Sequence, residues 1–195
     1  MRWQNLFDDL ESQLESELGA EEVDLLAEEE RLRLGRLTLR DRLRALHDDA
    51  HGDALTIGLR GGERVAVRLA AIGRDWVAGE TYAGTLRSAI VPLAAVAVLD
   101  PAGAQLAVSL RVDPVPEPPT ALSARLGLAF VLRDLCRRRA PVELHVGADR
   151  WHGTIDRVGR DHLDLAEHAA GEPRRTAAVA RIRLVAFAAL DLVRF

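Results

Sequence analysis

Apolar and polar residues alternate in two short runs that lie far apart in the chain. In LTIGL, Leu55, Ile57 and Leu59 fall on one side, and in VELHV so do Val142, Leu144 and Val146. This is the period-two signature of a half-buried strand. RGGER (60–64) and GADR (147–150) follow as hairpin turns, with glycine supplying positive φ. Further strands are predicted over 65–71 and 151–157. GRD turns at Gly73 and Gly159 then lead into WVAGE and HLDLAE. IVPL with AVAVL, and RLVAF with LDLV, complete the pattern as fourth and fifth strands split by an Ala-Ala step. Pro92 has no N–H to donate and belongs at a strand end.

These runs belong to a longer correspondence. Gly73-Arg74-Asp75 lines up with Gly159-Arg160-Asp161, and Val65, Val67, Leu69 and Ile72 fall on Trp151, Gly153, Ile155 and Val158. IVPLAAVAVL from Ile90 matches LVAFAALDLV from Leu184, after an insertion around HAAGEPRR in the second copy. A helical pattern precedes each copy, RLGRLTLRDRL from Arg33 and RLGLAFVLRDL from Arg125. A helix followed by five strands is thus duplicated, and a repeat constrains architecture before any single motif does. Five short strands with a helix over the open end describe a small SH3-like barrel. The expected fold class is mainly β with helices: an acidic helical arm at 1–31, then two repeated helix-plus-five-strand barrels. The barrels occupy 32–100 and 121–195, on either side of a Pro-rich linker at 101–120. PVPEPPT from Pro114 stiffens that linker, and Thr120 is the expected N-cap of the second helix.

In the arm, Trp3, Leu6, Phe7, Leu10, Leu14 and Leu18 share one helical stripe with acids opposite. Such a stripe docks into a partner's groove, folds back over its own barrels, or pairs with a second copy. Trp3, Leu6, Phe7, Leu10 and Leu14 are the candidate partner-binding residues. The stretch 21–31 offers little apolar surface and reads as a solvated spacer.

With 48% hydrophobic but only 4% aromatic residues, the core must be built mainly from Ala, Val and Leu. The sole cysteine, Cys136, excludes an intramolecular disulfide and a cysteine-rich zinc site, and shares an apolar helical stripe with Leu132 and Leu135. No apolar run approaches the ~20 residues of a membrane span, and the opening lacks the apolar block of a signal peptide. A cytoplasmic location without a membrane partner is expected. Every basic residue is arginine, the coding bias of a GC-rich bacterial genome such as an actinobacterial one. The net charge of −4 conceals an asymmetry: −9 over 1–31, +1 over 32–120 and +4 over 121–195.

That basic end supplies the candidate nucleic-acid contacts, Arg137, Arg138, Arg139, Arg160, Arg174 and Arg175. Binding through them would be salt-sensitive and sequence-blind. Nine acids interleave with these arginines, however, and cations at 137–139 also suit a helix C-terminus. His145, His152, His162 and His168 match no compact metal motif. Asp156, Asp161 and Asp164 lack a paired acid or nucleophile nearby in sequence, and GLRGGER lacks the Gly-Lys-Ser/Thr ending of a phosphate loop. No catalytic residue, cofactor, metal or small-molecule substrate is expected.

A helix followed by five strands, with the Gly153-Thr154-Ile155 step in the second strand, resembles the Sm/Lsm-like fold over 33–100 and 121–195. The whole chain, with its RWQNLFDDLE opening, also resembles an uncharacterised actinobacterial family whose members are sometimes labelled Fis-family transcriptional regulators. No helix-turn-helix accompanies that label. The Sm resemblance implies RNA held by an Asp and an Asn near the third strand and an Arg-Gly before the last. Here GRDWVAGE and GRDHLDLAE offer Asp75 and Asp161, the sole asparagine is Asn5, and PLAAV and AFAAL contain no Arg-Gly. The expectation is therefore a non-enzymatic adaptor or assembly module that recruits a protein partner, or itself, through the N-terminal helix or the barrel edges. The alternative is a nucleic-acid-binding regulator, using RNA or DNA contacts in the C-terminal barrel.

Overall fold

A computed structural model describes residues 19, 22–49, 53–82, 84, 86–111, 125–171, 175 and 179–195. Helical residues 22–35 form α1. They are followed by α2 (Leu39–Asp48), α3 (Gly103–Ser109) and α4 (Leu128–Arg138). The first five strands are β1 (Leu55–Leu59), β2 (Arg64–Ile72), β3 (Trp76–Thr81), β4 (Ser88–Pro92) and β5 (Val96–Asp100). The second five are β6 (Pro141–Val146), β7 (Asp149–Val158), β8 (His162–Glu167), β9 (Arg181–Ala186) and β10 (Leu192–Arg194). Short 3-10 turns, Leu93–Ala95 and Phe187–Ala189, separate β4 from β5 and β9 from β10 at the Ala-Ala steps. Pro92 closes β4, where its missing N–H breaks no ladder.

All ten strands belong to one antiparallel sheet in the order β5-β1-β2-β3-β4-β10-β6-β7-β8-β9. The expected pair of closed barrels is thus met only as a mainly β chain, because the sheet does not close. The outer side of β4 pairs with β10 (Ile90 with Val193, Ala89 with Arg194), so the two halves join edge to edge. Strand registers in the two halves correspond position by position. Ile57 pairs with Leu99 as Leu144 pairs with Val193, and Val77 pairs with Val91 as Leu163 pairs with Val185. Each second strand carries a register shift at the same place, between Leu69 and Ala71 and between Ile155 and Arg157. Such irregularities bend a strand and raise its twist.

Gly153 shows why one small residue is needed in this register. A Cβ there would lie 2.3 Å from the Ala166 carbonyl oxygen and 3.1 Å from Leu165 Cδ1. In the first half the small residue has moved across the ladder. There Gly79, paired with Leu69, lies diagonally beside Val67, and a Cβ on it would lie 2.0 Å from the Arg68 oxygen. Small and large residues have exchanged strands between the halves.

Two elements differ from the sequence expectation. The pattern beginning at Arg33 is not one helix: α1 ends near Gly35, and Thr38 starts α2 with a capping box. Its hydroxyl accepts from Asp41 N (3.1 Å), while Asp41 Oδ2 accepts from Thr38 N (3.0 Å). Glycine disfavours the helix interior, and the Thr-x-x-Asp box nucleates a new one. The expected linker at 101–120 begins with α3, which packs on α2 and is fastened by Arg42 Nη2 donating to Ser109 Oγ (2.8 Å). The observed N-cap of α4 is Gly127, and Thr120 lies outside the described residues. Val23, Leu25 and Leu26 of α1 are exposed.

Two hydrophobic cores result, and each borrows from the other half. Leu43, Ile57, Val67, Val77 and Val91 pack with Leu192 of β10. Leu132, Leu144, Leu165, Leu190 and Val193 pack with Trp76 and Ile90 of the first half. Apolar burial on this pattern stabilises the joint between the halves as well as each half.

Candidate functional site: the strand joint and the two open edges

The joint is held by more than the β4–β10 ladder. Asp191, an acid in the otherwise apolar LDLV, is 3% exposed and uses both carboxylate oxygens. Oδ1 accepts from Arg60 Nε (2.7 Å) and Oδ2 from Gly147 N (2.8 Å). Arg60 comes from the β1–β2 turn, so this carboxylate ties a turn of each half together. Beside it His145, 2% exposed, lies between two carboxylates, with Nδ1 2.7 Å from Glu63 and Nε2 2.5 Å from Glu143. Both nitrogens donate when the ring carries both protons. Glu63 also receives Arg150 (2.6 Å) and Arg194 (3.2 Å), and His152 Nε2 lies 3.1 Å from Glu143. Every contact of Glu63 in this set crosses from the first half to the second.

At the other end of the joint, the first GRD turn caps the second helix. Asp75 Oδ1 accepts from Leu128 N (2.7 Å), satisfying one of the unpaired N–H groups of α4's first turn. Trp76 Nε1 and Arg74 N both donate to the Leu126 oxygen, at 3.0 and 2.9 Å. Asp75, one of the two acids aligned with the Sm-type base pocket, is thus engaged as a helix cap. The other, Asp161, is exposed, and its hydrogen bond from His162 lowers its pKa against slight desolvation.

The ends of the sheet are β5 and β9, and among the described residues neither pairs on its outer side. Leu184 on β9 is 74% exposed, Ile182 47% and Val98 on β5 46%. Their counterparts at the joint behave oppositely. Ile90, aligned with Leu184, and Leu192, aligned with Val98, are both fully buried. A groove of about 250 Å3 opens beside β5, lined by Leu39, Leu46, Leu99, Pro101 and Leu106 with Arg42 and Ser109. On β9, Arg183 stacks over Trp151 at 4.5 Å and donates to Glu167 (2.6 Å). That hydrogen bond, against a smaller opposing effect of desolvation and assisted by the charges of Arg183 and Arg181, holds the Glu167 carboxyl below its usual range. Trp151 is half-buried against the core, as is Cys136.

The sequence-predicted candidates fare unevenly. Trp3, Leu6, Phe7, Leu10, Leu14 and Arg174 lie outside the described residues. Arg137 and Arg138 both pair with Asp134, at 2.5 and 2.7 Å, and Arg139 ends α4 in the left-handed region with Asp156 4.0 Å away. Arg160 is exposed in the β7–β8 turn and Arg175 in the β8–β9 connection. The described candidates therefore sit on three separate segments, and two of them share one acid. Residues that sequence reasoning passed over are Arg60, Glu63 and Asp191 at the joint and Leu184 at the edge, while His145 was weighed only as a metal ligand. Asp191 had a signal, a carboxylate aligned with Ala97 in an otherwise apolar stretch just before β10. Among the described residues no group of three or more His, Cys, Asp or Glu is placed to hold a metal ion, and no helix is long and apolar enough to cross a membrane. No family model, curated protein or solved structure matches the chain.

Proposed function

We propose that the chain is a non-enzymatic assembly module, built from two tandem Sm/SH3-like units, that recruits protein partners by strand pairing at its open edges. The observation that carries this reading is the contrast between aligned positions. Ile90 and Leu192 are fully buried where the halves join, whereas Leu184 and Val98 are exposed on the end strands. An apolar, unpaired edge strand is a template for another strand. A binding role rather than a catalytic one also accords with the buried and half-buried ionisable side chains. Glu63 and Asp191 are engaged across the joint, with His145 and Arg60, and Glu143 is engaged with His145 beside it, rather than all being gathered about an open cleft.

The alternative, a nucleic-acid-binding regulator, rests on the exposed Arg160 and Arg175 and on the +4 charge of residues 121–195. The two readings separate in one experiment. A photo-crosslinking amino acid replaces Leu184, Val98 or, as an exposed control in the β6–β7 turn, Ala148, in cells that make the protein. Protein adducts from positions 184 and 98 but not from 148 are expected. Adducts to nucleic acid, or none from either edge, would overturn the assembly reading.

A further inference from the structure

We propose that the second half carries a small-molecule site, a pocket that takes one uncharged aromatic ring bearing an N–H or O–H donor. The site lies apart from the open edges, and it stands or falls independently of the assembly reading.

The pocket has a volume of about 210 Å3 and lies between the start of β6, the middle of β7 and the residues that follow β8. Leu86, from the β3–β4 connection of the first half, closes one side. An apolar cavity of about 150 Å3 holds benzene, so this space suits one substituted ring. Backbone hydrogen bonds hold the walls in place. His168 N donates to the His152 oxygen (3.1 Å), Thr81 N to the Arg87 oxygen (2.6 Å) and Ser88 N to the Phe195 oxygen (3.2 Å). A ligand entering a site already built loses less of its binding energy to ordering the protein.

The hydrogen-bond inventory sets the ligand's chemistry. His168 Nδ1 lies 3.1 Å from the Ala169 oxygen and therefore carries the proton, which leaves Nε2 to accept from Thr154 Oγ1 at 2.9 Å. Both nitrogens of this buried ring are spent, and it offers the pocket only carbon. His152 differs. Its Nε2 lies 3.1 Å from the Glu143 carboxylate and donates to it, so in the neutral ring Nδ1 is an acceptor, and no described residue donates to it. The other lining residues are Leu86, Pro141, Val142, Gly153, Ala170 and Gly171. Their side chains carry no charge, and an ionic ligand would give up its hydration there without a counter-charge. A neutral ring with one donor matches both the apolar walls and the single open acceptor.

The repeat shows that the pocket was added to the second copy. Thr81 pairs with Val67 as Glu167 pairs with Gly153, so Tyr82 is the counterpart of His168 and Ala66 that of His152. The first copy thus has neither imidazole, and Tyr82 is 62% exposed. Ala170 and Gly171 belong to the insertion that only the second copy carries. Gly171 turns there with φ +81°, a conformation that glycine adopts without strain. Because Leu86 comes from one half and the remaining walls from the other, a bound ring also fastens the joint.

Phenol is the probe, toluene its counterpart without a donor, and both are titrated into the full chain while its imidazole nitrogens and methyl groups are followed by NMR. Saturable shifts confined to Leu86, His152, Gly153 and His168 are expected with phenol. The His152 Nδ1 resonance should move as that nitrogen accepts a hydrogen bond, while both nitrogens of His168 stay where they are. This reading uses the native chain alone. His152→Phe keeps a ring at a part-exposed position and removes the acceptor. It should weaken phenol about tenfold and leave toluene within about twofold. No saturable shift, saturation with His152 Nδ1 unmoved, or equal losses for the two probes in His152→Phe would each overturn the proposal. Any of these results leaves crosslinking from positions 184 and 98 to decide the assembly reading by itself.

Discussion

Replacing Asp191 by alanine tests whether one buried carboxylate fastens the two halves. Its two oxygens receive Gly147 N at 2.8 Å and Arg60 Nε at 2.7 Å, and the residue is 3% exposed. Truncation removes the charged acceptor of the Gly147 N–H, and a hydrogen bond to a charged group contributes about 1.5–3 kcal/mol, toward the lower end here because Gly147 is itself exposed to water. The Arg60 side chain is 41% exposed, so its half of the interaction is screened and contributes about 1 kcal/mol or less. Part of this is offset because a charged group no longer has to be desolvated. The expected net loss is about 2 kcal/mol. Urea unfolding followed by circular dichroism measures it as a lower midpoint at unchanged slope, the sign that stability and not compactness has changed. Arg60→Ala alone should cost less, and a double-mutant cycle should give a coupling of about 0.5–1 kcal/mol. A midpoint unmoved by Asp191→Ala, or a coupling of zero, would refute the idea that this pair holds the joint. A split into two transitions would be the stronger form of the expected result, with the halves melting separately.

Gly153→Ala places a methyl group 2.3 Å from the Ala166 carbonyl oxygen, and should lower stability by about 3 kcal/mol in the same unfolding assay. Because the obstacle is backbone, adding Leu165→Ala should not rescue it, and rescue would show that side-chain crowding was the cause. Glu167 gives a pH signature. Its folded pKa is depressed, chiefly by the hydrogen bond from Arg183, so the native state binds fewer protons than the unfolded one. Its contribution is complete above the unfolded value of about 4.3 and fades as pH falls through the lower folded value. The stability difference between the native protein and Glu167→Gln should therefore shrink from pH 5 toward pH 3 (roughly, on those values), and a difference constant across that window would contradict the assignment.

Much of the secondary structure was determined locally and could be read along the chain. Alternation at Leu55-Ile57-Leu59 and Val142-Leu144-Val146, glycines in the hairpins and Pro92 at a strand end each follow from one residue's geometry or one side chain's solvation. The correspondence of IVPLAAVAVL with LVAFAALDLV likewise needs only the sequence, and the matching registers of β5 and β10 follow it. The break between α1 and α2 was also local, written in Gly35 and the Thr38–Asp41 box, but the apolar periodicity running through it concealed the stop.

What only the tertiary structure decided is where the strand edges go. A strand's outer N–H and C=O groups are the same whatever residue carries them, so no side-chain pattern says whether β4 is to meet β5, β10 or another chain. That choice turns Asp75 from an apparent pocket residue into the cap of α4. It also draws Glu63 and His145, 82 positions apart, into one cluster and gives Asp191 its partners. It leaves Leu184 in water while its sequence counterpart Ile90 is buried, a difference set by the neighbour each strand finds in space.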